Sequence, residues 1–389
     1  MRRKKILWLV SWYPNKTDLF DGDFIQRHAR AAALYNDIYV IHVAPDEKGI
    51  VTGNIKEEIK TQQGLTEHII YFKKTLSFFG RVRAFSKWRR LFKKAVTGYV
   101  DKQGHPDLVH VHVPVKAGII ALWAKRKYGV PFILTEHLGI YHDVNELKYS
   151  QRSSLFKNYT KKIFVAASRF LTVSKFLGEG VNRLVMKKEF EIVPNVVNSD
   201  LFFYTESYHS RFRFIHVSNM VALKNVKGIL DAAKKLQRRN KDFELVMVGN
   251  KDNIVQGYAR EEGLNDFVVF RGEVSYEQVA AEMQLSDVLI LFSEIENSPC
   301  VIGEALSCGL PVIATNVGGI PELVNQENGL LVDSGNTEGL ASAMQKMIDQ
   351  YDRYNRKKIA EDARGKFSYP VIGKMFDSVY SAVMLENKK

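Results

Sequence analysis

Two carboxylates stand eight positions apart in the stretch SEIENSPCVIGEAL, residues 293–306: Glu296 and Glu304. Between them lie Asn297, Ser298, Pro299 and Cys300. The apolar run VLILFS (288–293) precedes them, and Gly309 and Pro311 follow. This order places Glu296 in the loop past a strand and predicts a helix from about Pro299 to Cys308. Ser298 is a favoured N-cap residue, Pro299 suits the first helical position, and Gly309 suits the C-terminal cap. Glu304 then lies inside the helix. The free N–H groups of a helix's first turn suit phosphate. A carboxylate beside a phosphate repels it, so the chemistry open to these glutamates is to accept hydrogen bonds from hydroxyls on either side. A ligand with hydroxyls flanking a diphosphate is a nucleotide sugar. Spacing alone is met more often by two solvated surface glutamates, so the surroundings must decide.

Other residues sit where chemistry is possible. The stretch FRFIHVSNMVALKNVKGIL places Lys224 a few residues past a strand. A lysine there reaches a diphosphate as a point charge; Lys227 and Arg271 are further candidate cations. His137 ends the run FILTEH. His110 and His112 alternate with valine in DLVHVH and so share a strand face. Without a third ligand nearby they form a weak metal site and read as structural or cleft-lining. Gly22 follows the first strand and permits close approach of backbone to a ligand. Asp23 has the look of an N-cap, with Gln26 three residues on, opening a helix.

The elements that must hold these residues are strands alternating with helices. Short apolar runs recur at 6–11, 38–44, 68–72, 108–113, 132–137, 170–174 and 191–195. A second set lies at 212–219, 244–250, 267–272, 288–293, 311–315 and 329–332. Continuous Val- and Ile-rich runs of strand length indicate strands buried on both faces, as in parallel sheets. Alternation with helices implies βαβ units. The 389 residues exceed what one hydrophobic core usually supports. Two doubly wound α/β domains are expected, with a seam near residues 196–210. In open α/β sheets ligands bind beyond the carboxyl ends of strands, and the candidates above lie there.

No apolar run reaches the roughly 18–20 residues needed to span a bilayer. The basic start MRRKKILWLVSWYPNK has only a short apolar run and no small-residue cleavage site, and reads as a first strand. The two cysteines, Cys300 and Cys308, are too few for a disulfide framework and fit a reducing cytoplasm. The net charge of +13 concerns partners rather than fold. It is uneven: from Lys73 to Lys94 there are nine Lys or Arg and no Asp or Glu.

Glu296, seven intervening residues, Glu304 and then ALSCGLPVIATNVGGIPELV resemble the donor-site signature of retaining GT-B glycosyltransferases, glycosyltransferase family 4. The segments PDLVHVHVPVKAGIIALWAKRKYGVPFILTEH and EIVPNVVNSDLF are similar to the family too. The likeness is strongest at 288–324 and weakest at 45–105. It implies a GT-B fold with two Rossmann-like domains facing a cleft. The expected domains are an acceptor-binding domain at 1–200, a nucleotide-sugar-binding domain at 201–368, and a C-terminal helix at 369–389 returning to the first. It implies that Glu296 contacts the donor sugar and Glu304 the ribose hydroxyls. Backbone at Asn297, Ser298, Pro299 and Cys300 would hold sugar and phosphate, Lys224 the leaving diphosphate, and His137 would face the sugar. Where the family has Gly-Arg-Leu before that lysine, this chain has Ser218-Asn219-Met220. Asn219 donates a hydrogen bond but brings no charge, leaving Lys227 or Arg271 to supply it. Asn297-Ser298-Pro299 also departs from the usual residues after the first glutamate. Asp21-Gly22-Asp23 matches an Asp-x-Asp metal pattern, but so short a match in this context carries no metal role. No metal and no cofactor are expected; the nucleotide sugar is a substrate. The implied reaction is transfer from a UDP- or GDP-hexose to a glycan or lipid-linked acceptor in bacterial cell-surface polysaccharide synthesis. Retention would come by front-face attack assisted by the leaving phosphate.

Residues 81–96, RVRAFSKWRRLFKKAV, form a basic helical pattern with an aromatic stripe. Such a helix reads as a membrane-surface element, here through Arg83, Lys87, Trp88, Arg89, Arg90, Lys93 and Lys94. The competing reading packs the stripe on the first domain's sheet. A cytoplasmic protein, peripheral at the inner face of the membrane, is expected. Two other functions fit less well. A nucleotide-sugar epimerase of the same fold would need acid and base groups at the sugar. A basic nucleic-acid- or lipid-binding protein would use the charge without catalysis, but no nucleic-acid motif is present and no such partner is expected.

Overall fold

The structure, a computed structural model, describes residues 2–73, 80–142, 148–206, 210–250 and 253–387, without the side chains of Arg81 and Asn253. Lys74 and the Arg81 side chain of the basic segment, and residues 207–209 of the expected seam, lie outside the described residues. The chain divides into two compact units, 1–196 with 369–389, and 197–368. The division thus falls at Val196, a few residues before the expected position 200.

Unit 1 runs β1 (Lys5–Val10), α1 (Asp23–Ala33), β2 (Asp37–Asp46), β3 (Ile55–Gln62), β4 (Leu65–Lys73), α2 (Gly80–Gln103), β5 (Leu108–His112), α3 (Ala117–Tyr128), β6 (Phe132–Glu136), α4 (Ser154–Ala166), β7 (Phe170–Thr172), α5 (Lys175–Leu184) and β8 (Glu191–Ile192). Its sheet has the order β3-β4-β2-β1-β5-β6-β7-β8. Pairing is parallel except between β3 and β4. Alternation along β1 shows why the apolar runs are unbroken: Leu7 and Leu9 enter the core on one face, Ile6, Trp8 and Val10 that on the other.

Unit 2 runs β9 (Phe212–Ser218), α6 (Val226–Gln237), β10 (Phe243–Gly249), α7 (Asn253–Glu261), β11 (Val268–Gly272), α8 (Tyr276–Gln284), β12 (Val288–Leu291), α9 (Cys300–Ser307), β13 (Val312–Thr315), β14 (Gly329–Val332), α10 (Thr337–Asp349) and α11 (Arg356–Phe367). Its sheet is parallel, in the order β11-β10-β9-β12-β13-β14.

The last helix, α12 (Tyr369–Glu386), belongs to unit 1. Its stripe of Ile372, Phe376, Val379, Tyr380 and Val383 is buried in the core that also holds Trp8 and Ile25. Helix α1 lies so close that a Cβ on Gly373 would fall 2.3 Å from the Ala31 carbonyl oxygen. Lys4 Nζ pairs with Asp377 at 2.6 Å.

Strand β3 is the element that the apolar pattern does not reveal. It is a charged, mostly exposed edge strand, IKEEIKTQ, and charge is a common protection for an open edge. Helix α1 starts one residue from the expected place: Gly22 occupies the N-cap with φ 65, and Asp23 is the first helical residue. Asp23 accepts from the Phe24 N–H and pairs with Arg27 at 2.8 Å. A Cβ on Gly22 would lie 2.8 Å from Trp12 backbone. The glycine is therefore required by the chain's own packing.

Helix α2 packs most of the basic segment's apolar stripe against the sheet. Trp88, Leu91, Phe92 and Val96 are buried in the unit 1 core. Trp88 therefore does not belong with the surface residues, because the aromatic stripe faces the sheet. Arg83, Arg89, Arg90 and Lys94 are exposed, as are Val82 and Phe85 at the start of the helix. Lys87 is half-buried and donates to the carbonyls of Asn54 and Lys73. Lys93 sits over the Trp123 ring at 4.9 Å. No helix among the described residues is long and apolar enough to cross a membrane.

Candidate active site

The loops beyond β9, β12 and β13 of unit 2 gather Lys224, Glu296 and a pair of glycines. After β9 the chain makes a tight turn. Met220 has φ 54, and its N–H is accepted by Ser218 Oγ at 3.0 Å. That hydroxyl donates to His216 Nε2 at 2.7 Å, while His216 Nδ1–H donates to the Ile290 carbonyl at 2.9 Å. Burial holds the His216 ring neutral, its pKa lowered to about 4. The turn ends in a short 3-10 segment, Ala222–Lys224. Asn225 caps α6, its side chain accepting from Gly228 N–H.

The β12 loop joins this turn through Glu294 N–H donating to the Leu223 carbonyl at 2.8 Å. Ser293, fully buried, is fixed by Thr315 Oγ1 donating to its carbonyl at 2.6 Å. Its hydroxyl donates to Glu296 Oε1 at 2.8 Å. The same oxygen accepts from Lys224 Nζ at 2.5 Å, with both side chains largely shielded from solvent. After β13, Gly319 N–H donates to the Glu296 carbonyl at 3.0 Å. A Cβ on Gly318, at φ 58, would stand 1.9 Å from that carbonyl oxygen. The Val-Gly-Gly turn clamps the backbone of the first glutamate from behind.

Helix α9 begins one residue later than the sequence suggests. Pro299 occupies the N-cap and Cys300 is the first helical residue. Proline offers no side-chain acceptor, and no side chain at the cap position bonds the first turn. Ser298 is thus not the cap. Asn297, Ser298, Pro299 and Cys300 are all half-buried. The helix closes as anticipated, with Gly309 left-handed at φ 75 and Leu310 N–H donating to the Ala305 carbonyl. Glu304 is 5% exposed, and Tyr276 at the start of α8 donates its hydroxyl to Glu304 Oε1 at 2.8 Å.

The other two candidate cations, Arg271 and Lys227, are engaged elsewhere. Arg271 Nε pairs with Glu282 at 2.7 Å, and Glu282 also takes Arg213. Lys227 pairs with Asp231 and Tyr258. Asn219 is exposed in the β9 turn.

In unit 1, β6 ends at Glu136, whose buried carboxylate accepts from the N–H groups of His137 and Leu138 and from Tyr141 Oη. Burial outweighs these bonds and lifts its pKa to about 7. His137, half-buried, stands 3.1 Å from His112 Nδ1 through its Nε2. His110 is a structural residue, bonded to Tyr380 Oη at 2.9 Å and Thr135 Oγ1 at 2.7 Å. His112 has a different setting. It meets His137 and also His28 of α1, which sequence reasoning missed. The only signal for His28 was its place beside Ile25 and Ala29 on the buried face of α1. Ser293, Tyr276, Gly318 and Gly319 were missed as well. The glycines lay in a recognised motif, but nothing local to Tyr276 points at Glu304.

Two α/β units on largely parallel sheets, with charged residues at the carboxyl ends of unit 2 strands, have the architecture of the GT-B fold. The family description "Glycosyl transferases group 1" matches residues 198–366, and "Glycosyltransferase Family 4" matches residues 29–201. The chain belongs to this family of GT-B glycosyltransferases. Among its relatives is the putative teichuronic acid biosynthesis glycosyltransferase TuaC of Bacillus subtilis (strain 168), 24% identical over 99% of this chain and 97% of the relative. N-acetyl-alpha-D-glucosaminyl L-malate synthase of Bacillus anthracis is 26% identical over 74% of this chain and 78% of its own. Among solved structures, sucrose-phosphate synthase from Thermosynechococcus elongatus superposes with TM-score 0.78 at 19% identity, covering 98% of this chain and 100% of that one. Anabaena HepE in complex with UDP gives 0.73 at 18% identity, covering 97% and 100%.

Proposed function

We propose that the protein transfers a hexose, with retention, from a UDP- or GDP-sugar to a glycan or lipid-linked acceptor in bacterial cell-surface polysaccharide synthesis. The single observation that carries the donor reading is the 2.5 Å pair of Lys224 and Glu296. An ammonium has three donors. Glu296 engages one and leaves the others for diphosphate oxygens, so the cation is positioned before the leaving group develops charge. Stabilising such charge with preplaced groups is typically the largest single contribution to a transfer rate. Glu304, oriented by Tyr276, would accept from the ribose hydroxyls. Asn297, Ser298 and Cys300 would contribute backbone at the α9 start, with Pro299 shaping it. Asn219 brings no charge, and Arg271 and Lys227 have carboxylate partners of their own, so Lys224 is assigned the main electrostatic role.

The relatives' own functions support the acceptor half of the reading, since TuaC is ascribed to teichuronic acid biosynthesis. HepE has been solved with UDP and with UDP-glucose, which supports a UDP-linked donor. Arg83, Arg89, Arg90 and Lys94, with Val82 and Phe85, form the face of α2 that would meet an anionic membrane. A panel of UDP- and GDP-sugars tested by thermal shift and then by transfer to lipid-linked glycans is the decisive measurement. Stabilisation by one nucleotide class, lost in Glu304→Gln, is the expected result. No stabilisation by any of them overturns the reading.

A further inference from the structure

Three imidazoles meet in unit 1 that the donor-site reading leaves largely unused. His28 comes from α1, His112 ends β5, and His137 follows β6. One ring nitrogen from each lies within 4.8 Å of the others, the single such grouping found among the described residues. Ring centroids are 5.4 Å apart for His112 and His137, 5.8 Å for His28 and His137, and 6.3 Å for His28 and His112.

Two ring nitrogens of the cluster are left without a hydrogen bond. His28 Nε2–H donates to the Pro194 carbonyl at 2.9 Å, which fixes the tautomer and leaves the Nδ1 lone pair bare. That Nδ1 is buried and has no partner. His112 Nε2 is likewise buried and without a partner. Both residues are fully buried. A buried acceptor left unmade costs about 1–3 kcal/mol, so two together in one cluster require a reason. His28 has the arrangement of a metal-binding histidine, one ring nitrogen on a carbonyl and the other left for an ion, whereas His112 has its Nδ1 on His137 Nε2 at 3.1 Å and only its Nε2 bare. The rings are also held in place by neighbours. Trp8 stacks on His112 at 4.1 Å, and Phe376 lies edge-on against His28 at 5.3 Å.

We propose that His28, His112 and His137 bind one divalent transition-metal ion of the zinc type. Zinc takes imidazole nitrogens at about 2.0–2.1 Å, which sets tetrahedral nitrogens about 3.4 Å apart. The present nitrogens, within 4.8 Å of one another, would have to draw closer to reach that spacing. Three imidazoles and no carboxylate select zinc, copper or nickel over magnesium or calcium. His137 is half-buried, so the fourth position opens on its side and takes water or an anionic oxygen. The site goes beyond the donor reading and corrects the view that His112 lacks further ligands. His110, expected to share its role, is excluded by its bonds to Tyr380 and Thr135.

Untagged full-length protein, stripped with a chelator, is titrated with Zn2+ and Co2+. The expected result is one ion per chain, with the visible absorption of tetrahedral Co2+. His28→Gln and His112→Gln should each weaken Zn2+ binding by more than the roughly 10–100-fold lost when a ligand's hydrogen-bond partner is removed. His105→Gln, at an exposed histidine outside the cluster, should change nothing. Absence of saturable binding, or equal damage from His105→Gln, overturns the site. A cluster variant that fails to fold does not protect the idea, because zinc-edge anomalous scattering from soaked wild-type crystals locates the ion directly. A peak among the three rings supports it; a peak elsewhere, or none, overturns it. These readouts use no sugar donor, so failure of the donor reading leaves them standing, and the reverse also holds.

Discussion

Lys224 Nζ lies 2.5 Å from Glu296 Oε1 although 72 positions separate them in the chain. The contact exists because β9 and β12 are neighbours in the sheet, so their trailing loops leave the same edge side by side. Removing either partner strips a shielded charge of its counter-charge. Lys224→Ala and Glu296→Gln should each lower kcat by about 10²–10³-fold, the loss typical of a preplaced charge-stabilising group. Steady-state kinetics on an identified donor checks this, and turnover within tenfold of wild type in both variants would refute the assignment.

On the proposed reading Tyr276 would act on the donor through Glu304, to which it donates at 2.8 Å. Tyr276→Phe deletes one hydrogen bond to a buried carboxylate and little volume. UDP binding measured by calorimetry should weaken by about tenfold, or 1.4 kcal/mol, with kcat little changed once donor saturates. A fall in kcat alone would show that the hydroxyl serves another purpose.

Gly318 and Gly365 make a matched pair of glycine tests. Gly318→Ala forces a Cβ against the Glu296 carbonyl at positive φ, and should cost more than about 1 kcal/mol and most of the activity. Gly365→Ala, in the exposed last turn of α11 with open space around its Cβ, should raise stability by about 0.4–1 kcal/mol. Thermal unfolding of the two variants decides.

Glu136 should make unit 1 pH-sensitive. Its folded pKa, about 7, exceeds the ordinary 4.5. The neutral acid is the form the fold accommodates, so stability is greatest below pH 4.5 on this account and is lost as pH rises toward 7. The full loss is about 3 kcal/mol at 1.36 kcal/mol per unit. His216 in unit 2 works in the opposite sense, its folded pKa of about 4 lying below the ordinary 6.5. Its contribution is present above pH 6.5 and is lost as pH falls toward 4. Urea unfolding from pH 4 to pH 8 should show a shallower alkaline decline in Glu136→Gln than in wild type. An unchanged slope would mean that Glu136 is already ionised.

The two sides of α2 should respond differently. Arg83, Arg89, Arg90 and Lys94 changed to Gln should leave folding intact and weaken flotation with anionic vesicles, each charge contributing about 1 kcal/mol. Trp88→Ala should instead destabilise the protein by about 3–5 kcal/mol as a core truncation. Equal vesicle binding by the quadruple variant would remove the membrane role.

The strands were largely legible because parallel strands are apolar on both faces, and VLILFS or ELVMVGN admits few other readings. Strand β3 was not, because IKEEIKTQ has only one neighbour and its exposed residues carry charge. Cap positions were read one residue off at both Asp23 and Ser298. In each case the residue with the better capping propensity lost to a neighbour, Gly22 or Pro299, placed there by the loop's path. Trp88 was ambiguous in principle, since one helical stripe can face a sheet or a membrane. Glu296, Glu304 and Lys224 were visible through a motif whose spacing reflects strand–loop–helix geometry. Tyr276 and His28 were invisible because their partners, Glu304 and His112, arrive from distant sequence only when the sheet assembles.

Helix α12 covers Trp8, His110 and the inner face of α1, yet it follows the whole of unit 2 in the chain. During synthesis, then, unit 1 must wait. Residues 197–368 emerge first, a delay on the order of ten to thirty seconds at 5–20 residues per second. Throughout that interval an apolar groove of the first unit stays open, while the second unit already has every strand it needs. The later-made half of the molecule is therefore the first that can finish folding, and a chain cut at Ser368 would keep a complete unit 2 beside a unit 1 that never closes.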